Sequence, residues 1–290
     1  MRRYPMIRFK LGVLAHEWLF GGYLAITWSR LVVAAGLVAP DTLVFLAFIA
    51  ANVALIAYCE RHPTPRNWRL RLAYYPIVMN LAFQQMRTAV PLITPDKADA
   101  QLRAIDAAMI GGNPSLVLEP YVTPWLTELC SCFYILFFPY LLVSIAVHLF
   151  GDLELLKKYS VGLFSLYGLG FLGYTLVPAS GPYLAMAGEF TIPLDGFLVT
   201  GWNAELVRMG SSGVDVFPSL HVAISCFILL FDRWHRRWRY RAYLLPCVGL
   251  WFSTVYLRYH YLIDLLAGFA LAAVALTIAG RFAAARGKEE

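Results

Sequence analysis

The sequence predicts an all-α, polytopic membrane helical bundle of about eight transmembrane helices, and three observations carry that expectation. The 290 residues are 60% hydrophobic and only 14% charged, with mean hydropathy +0.62, too apolar for a soluble domain of ordinary composition. Apolar runs near the roughly 20 residues that a helix needs to cross a hydrocarbon core recur along the whole chain. The basic residues gather in alternate connections, the pattern expected where cytoplasmic loops retain Lys and Arg. A net charge of +6 on a soluble chain would point to nucleic acid. Here the loop pattern accounts for it, so the expected partners are the bilayer and its lipids and no nucleic acid. The five cysteines, Cys59, Cys130, Cys132, Cys226 and Cys247, have no metal-type spacing and sit in or beside apolar runs, as small hydrophobes do.

In chain order, MRRYPMIRFK and the apolar run after it superficially resemble a signal peptide. Pro40, directly after the small residues of Val33 to Ala39, argues against cleavage, and the run is read as a first membrane helix. Spans are expected at 20–38, 41–58, 72–92, 123–149, 159–177, 217–232, 242–257 and 261–280. Arg30 falls inside the first, so either it faces other helices or the boundaries slide toward residue 12. The sixth and seventh are short unless they continue into the basic stretch between them.

This divides the chain into N-terminal helices at 1–94, an interfacial segment at 95–121, a transmembrane core at 122–280 and a tail at 281–290. With the N-terminus inside, the cytoplasmic side holds 18 of the 24 Lys and Arg. They lie in 2–10, 61–71, 157–158, 233–241 and 281–288. Both termini are then cytoplasmic, and Arg87, Lys97, Arg103, Arg208 and Arg258 fall on the outer face together with His260.

Two outer segments are too long for simple turns. In 95–120, Leu102, Ile105, Ala108 and Met109 recur at helical spacing opposite Asp99, Arg103 and Asp106, which predicts an amphipathic helix on the outer interface ending at Gly111-Gly112. Residues 178–216, opening PASGPY and carrying scattered Gly, Pro and acids, predict a structured cap or re-entrant loop over the outer mouth.

The candidate chemistry lies in two stretches at that face. In YLRYHYLIDLLAG, His260 and Asp264 stand four residues apart, so on a helix they share a face and can hydrogen-bond. A carboxylate behind an imidazole fixes its tautomer and stabilises the imidazolium, the arrangement a nucleophile or general base requires. In VDVFPSLHVA, Pro218 fits the first turn of a helix, whose free N–H groups face an anion, and Ser219 and His221 would line that site. A second helix start, at His260 and with Arg258 two residues before it, would add another positive end. Two imidazoles, a carboxylate, an arginine and two helix N-termini at one membrane depth suit phosphoryl transfer, with no metal or other cofactor required. The residues alone do not say which histidine attacks.

FPSLH and the His-x-x-x-Asp of HYLID resemble the second and third motifs of the type-2 phosphatidic acid phosphatase superfamily. FPSLHVA with YLRYHYLIDLLAG, and AIDAAMIGGNPS and LVPASGPY upstream, are similar to the branch of inositol phosphorylceramide synthases and their bacterial relatives. The likeness covers roughly residues 100 to 280. It implies that His260 forms a phosphohistidine, that Asp264 orients it, and that His221 protonates the leaving alkoxide and later deprotonates the acceptor. Ser219 and Arg258 would hold phosphate oxygens. Two departures stand out. The superfamily's first motif is not visible, and PASGPY takes its place, making Gly181 and Tyr183 substrate-binding candidates. The usual Arg six residues before the nucleophile is Thr254 here, so Arg258 is expected to replace it, with Arg208 a further candidate.

The bland readings are narrower. A His–Asp pair at membrane depth can link helices structurally, but ionisable groups there cost about 2.5–3.5 kcal/mol and are usually functional. One His and one Asp make a poor zinc set. His16, His62, His148 and His235 are read as interfacial on the cytoplasmic side, and the run Asp232 to Arg241 as an ordinary basic loop. The resulting expectation is an enzyme of a bacterial inner membrane, its site facing the periplasm, that transfers a phosphoryl or phospho-headgroup of a membrane lipid. A simple lipid-phosphate or polyprenyl-phosphate phosphatase is the alternative, and an anionic-lipid transporter the rival from another class. Phosphatidate, a polyprenyl phosphate and phosphatidylinositol with a ceramide-like acceptor all remain possible substrates. The oligomeric state is not legible.

Overall fold

A computed structural model describes residues 12–286, with side chains through Ala284. Arg2, Arg3, Arg8, Lys10 and Lys288, which entered the charge count, lie outside the described residues. Among the described residues the chain is all helical, with no strand. The helices are α1 (Ala15–Ala35), α2 (Pro40–Arg61), α3 (Pro65–Ile93), α4 (Asp99–Ile110), α5 (Pro114–Leu118), α6 (Pro124–Ile135), α7 (Phe137–Leu149), α8 (Leu153–Leu176), α9 (Pro182–Ala185), α10 (Leu198–Gly210), α11 (Leu220–His235), α12 (Arg237–Tyr256) and α13 (Leu262–Arg286). Four stretches are long and apolar enough to cross a membrane: Ala15–Ala35, Pro40–Arg61, Pro124–Leu149 and Leu262–Ala284. This is an integral membrane protein.

Local chemistry sets the boundaries. Pro40, Pro65, Pro114 and Pro124 open helices where a missing N–H costs nothing. The side chains of Thr64, Asn113, Thr123, Asp152 and Ser219 cap free N–H groups. Gly111 closes α4 in the left-handed conformation, as its sequence predicts. The run expected as one span at 123–149 is divided at Leu136, where Pro139, lacking an N–H, cannot bond back to Ile135.

The centre of the bundle is α8, buried along most of its length and packed against α1, α13, α11, α3 and α7. A Cβ at Gly168 would stand 2.9 Å from the Phe20 backbone nitrogen, so α1 and α8 touch as only small residues allow. Helix α1 starts at Ala15, and Arg30 faces protein, its guanidinium on the carbonyls of Thr175 and Ile93 and the hydroxyl of Thr94. Gln85 reaches Asp41 on the neighbouring helix. The sixth and seventh runs do extend into the basic stretch, with only Arg236 between α11 and α12.

Several residues expected at a cytoplasmic surface are inside. Arg71 lies within α3, fully buried, bonded to Glu17 at 2.5 Å and Glu60 at 2.6 Å. Arg239 is buried on α12, 3.1 Å from Asp232. Neither is a loop residue, because a carboxylate on an adjoining helix offsets the burial of each charge. His16 is enclosed by Tyr75 and Phe164, and His148 stacks on Tyr159 with centroids 3.9 Å apart. Both belong to the core.

Candidate active site

Ser219, at the start of α11, and the turn from α12 into α13 meet at one end of the bundle. Thr254 O accepts the N–H groups of Tyr259 and His260, each at 3.0 Å, and this reverses the chain within Leu257 to Tyr261. Arg258 makes the reversal by adopting φ +66°, a left-handed conformation that an L-residue keeps only where its surroundings hold it. They do so here. Its carbonyl accepts Tyr183 N–H at 2.7 Å, its guanidinium donates to Ile192 O at 2.7 Å and lies 3.6 Å from Glu119, and Phe190 stacks 3.9 Å beneath it.

Past the turn, His260 Nδ1 stands 3.3 Å from Asp264 Oδ2. The same oxygen accepts Tyr261 N–H at 2.8 Å, as an acidic side chain three residues into a helix does for its N-cap. One carboxylate thus starts α13 and orients the imidazole. On the other side of the ring, His260 Nε2 lies 3.2 Å from Ser219 Oγ. Helices α11 and α13 meet closely there: Ser219 N–H donates to Asp264 O at 3.0 Å, and a Cβ at Gly268 would stand 2.7 Å from Ser219 O. The His221 ring is half-buried, its centroid 6.0 Å from that of His260 and 4.8 and 4.7 Å from those of Tyr134 and Phe137. Asp264, Ser219 and His260 are buried.

Two expectations about the helix ends change. Pro218 stands one residue before the Ser219 cap, so it is outside the first turn of α11. The start of α13 is not free for an anion, because Asp106 accepts Leu262 N–H at 2.8 Å and Ile263 N–H at 3.0 Å. Its carboxylate is fully buried, and burial pushes it above the ordinary carboxylate range against the pull of those two donors. At α11 the N–H of His221 has no hydrogen-bond partner among the described residues. One helix start therefore faces the two imidazoles with an open donor, where two were expected.

The remaining candidates sit behind the site. Gly181 adopts φ +82°, donates its N–H to Asp99 at 2.9 Å, and lies so close to the turn that a Cβ would stand 2.4 Å from Tyr259 O. The Tyr183 ring meets Tyr259 edge-on at 5.5 Å. Arg258 is committed to Glu119 and Ile192 and makes no hydrogen bond to Ser219, His221 or His260. Arg208 is exposed and pairs with Glu205 on its own helix. Among the candidates, the structure brings together Ser219, His221, His260 and Asp264. It holds Gly181, Tyr183 and Arg258 against the backbone of the turn, and leaves Arg208 apart.

The sequence reading missed the acids that build this end. Asp99 takes the N–H groups of Ser180 and Gly181 and the Tyr261 hydroxyl. Glu119 takes Thr191 and Ile192 N–H, and Glu128 takes Phe197, Val199 and Thr200 N–H. Helix α4 turns Leu102 and Asp106 inward and leaves Ile105 and Met109 outward, so its acids face protein where a surface helix would wet them. The available signal was the spacing of Asp99, Leu102 and Asp106 on one helical stripe.

This geometry is a cluster of two histidines, one carboxylate and one serine on a membrane helical bundle. The PAP2 superfamily model matches residues 100–278, more than half the chain and all four clustered side chains, and the protein belongs to that superfamily of phosphatase-type membrane enzymes. No curated protein and no solved structure matched the chain.

Proposed function

We propose that this protein transfers the phosphoryl or phospho-headgroup of a membrane lipid through a phosphohistidine on His260. The supporting observation is the line Asp264, His260, Ser219 with His221 facing it across 6.0 Å. With Nδ1 protonated toward Asp264, His260 Nε2 carries the lone pair and points to the side where Ser219 and the His221 N–H stand. In the first step the Nε2–P bond forms as the bond from phosphorus to the lipid alkoxide breaks, and that oxygen takes a proton from His221. In the second, an acceptor O–H attacks phosphorus, its proton passes to His221, and the N–P bond breaks. Ser219 and the start of α11 bear the charge developing on the non-bridging oxygens.

Water as acceptor makes the protein a phosphatase, and a lipid or headgroup alcohol makes it a transferase. The aromatic wall of Tyr134 and Phe137 around His221 favours an acceptor that brings apolar surface with it, in keeping with the synthase-like motifs of 100–120 and 178–183. Arg258 is assigned to holding the turn. The basic loops orient this end away from the cytoplasm, facing a bacterial periplasm, with about eight spans in the membrane.

The deciding experiment incubates purified protein with labelled phosphatidate, a polyprenyl phosphate, and phosphatidylinositol plus ceramide, and follows free phosphate and new lipid by mass. Acid-labile label on His260, absent in His260→Ala, is the expected result. Wild-type turnover in His260→Ala or Asp264→Asn would refute the mechanism and favour a non-enzymatic lipid-binding role.

A further inference from the structure

A hollow of about 390 Å³ opens at the end of the bundle opposite the histidines, lined by Arg233, Trp234, Arg237, Tyr240 and Arg241. We propose that it is a second anion site, taking the phosphate of an anionic lipid headgroup or the free anion of the same chemistry.

Charge patterning explains why arginines are at this end but not how they divide. Within 233–241, Arg239 turns inward onto Asp232 at 3.1 Å, and Arg236 buries its Nε. Arg233, Arg237 and Arg241 turn outward onto the one hollow, and their guanidinium groups make no hydrogen bond or ion pair with any described residue. Arg237 and Arg241 are one helical turn apart, a spacing at which like charges repel unless an anion lies between them. The hollow also sits at the first turn of α12, a 20-residue helix whose Arg237 and Trp238 N–H groups have no backbone partner. That end of the helix carries partial positive charge. Three unpaired guanidinium groups and a helix start match the several oxygens of a phosphate. The exposed ring of Trp234 in the wall and of Trp238 beside it suit the headgroup depth of a bilayer.

The test is independent of turnover, so it stands apart from the histidine chemistry. Protein purified in a neutral detergent is titrated with phosphatidylglycerol, and with phosphatidylcholine as the zwitterionic reference, by native mass spectrometry. Phosphatidylglycerol should bind preferentially, and Arg237→Gln/Arg241→Gln should weaken it roughly tenfold or more. Arg61→Gln/Arg66→Gln removes the same charge from the exposed end of α2 and start of α3 at this end and should leave binding unchanged. Displacement by inorganic phosphate at matched ionic strength identifies the free anion as the occupant, and its failure identifies the lipid. Equal weakening by both double variants, no weakening by either, or no preference over phosphatidylcholine overturns the proposal. Melting temperatures in the same detergent confirm that the variants are folded.

Discussion

The carboxylate of Asp106 accepts the backbone N–H of Leu262 at 2.8 Å, tying α4 to the first turn of the helix that carries Asp264. Asp106→Ala leaves two part-buried donors without their acceptor, at a cost of up to about 1–3 kcal/mol each where water cannot replace it. The expected result is a lower melting temperature and a drop in turnover of roughly tenfold or more, because small displacements of a reacting group are costly. Asp106→Asn, which keeps a carbonyl oxygen, should fall between. An alanine variant with unchanged rate and stability would show that the contact positions nothing.

Gly268→Ala tests the approach of α11 to α13. Its Cβ would stand 2.7 Å from Ser219 O and 3.1 Å from Val222 Cβ, so the helices must part and Ser219 must draw back from His260. Turnover should fall with little change in KM, measured on whichever lipid phosphate proves to be substrate.

Gly181→Ala should lower both stability and rate, since it combines φ +82° with a Cβ 2.4 Å from Tyr259 O. Gly36→Ala is the matched control. Its φ is +91° but nothing lies within 4 Å, so it should cost only the strain of an L-residue at that positive φ, about 1–3 kcal/mol, and leave the rate intact.

Glu119 gives a pH signature. Hydrogen bonds from Ile192 N–H and then Thr191 N–H, with the nearby Arg258 charge, hold its carboxyl below the ordinary carboxylate range. A depressed folded-state pKa stabilises the fold above the unfolded value, and that contribution is lost as pH falls through the folded one. Glu119→Gln should therefore melt lower than wild type at neutral pH, and the gap should close on acidification. A gap independent of pH would assign the loss to packing.

The two arginines separate cleanly. Arg208→Gln should leave turnover within about twofold, because a solvent-exposed ion pair with Glu205, away from the histidines, contributes little. Arg258→Gln releases Ile192 and Glu119 and should depress kcat more than it raises KM. A rise in KM alone would mean that Arg258 holds phosphate after all.

Particular residues show where the sequence was legible. His260 and Asp264 could be paired from spacing alone, because four residues along the chain keep them close. His260 nonetheless stands ahead of α13 and not on a shared helical face, and Asp264 reaches back to it from the first turn. Ser219 and His221 could be placed at a helix start for the same local reason. Asp99 and Asp106 were visible as one stripe of α4, but an acid stripe ordinarily faces water. Only contact with Gly181, Leu262 and Ile263, far along the chain, turned it inward. Arg258 shows a like limit: sequence gives its distance from His260 along the chain, while φ +66° and its contacts to Ile192 and Glu119 set where its side chain lies.

By itself, then, the sequence determined the membrane class, the approximate places of the long apolar helices and the nearness of His260 to Asp264, since hydropathy and short separation along the chain act locally. Only the tertiary structure decided which charges would be buried, which helix start would keep an unpartnered donor, and which arginine would be taken up by its neighbours. Those outcomes depend on partners brought together by packing, and a buried polar group binds whichever partner the fold puts within reach.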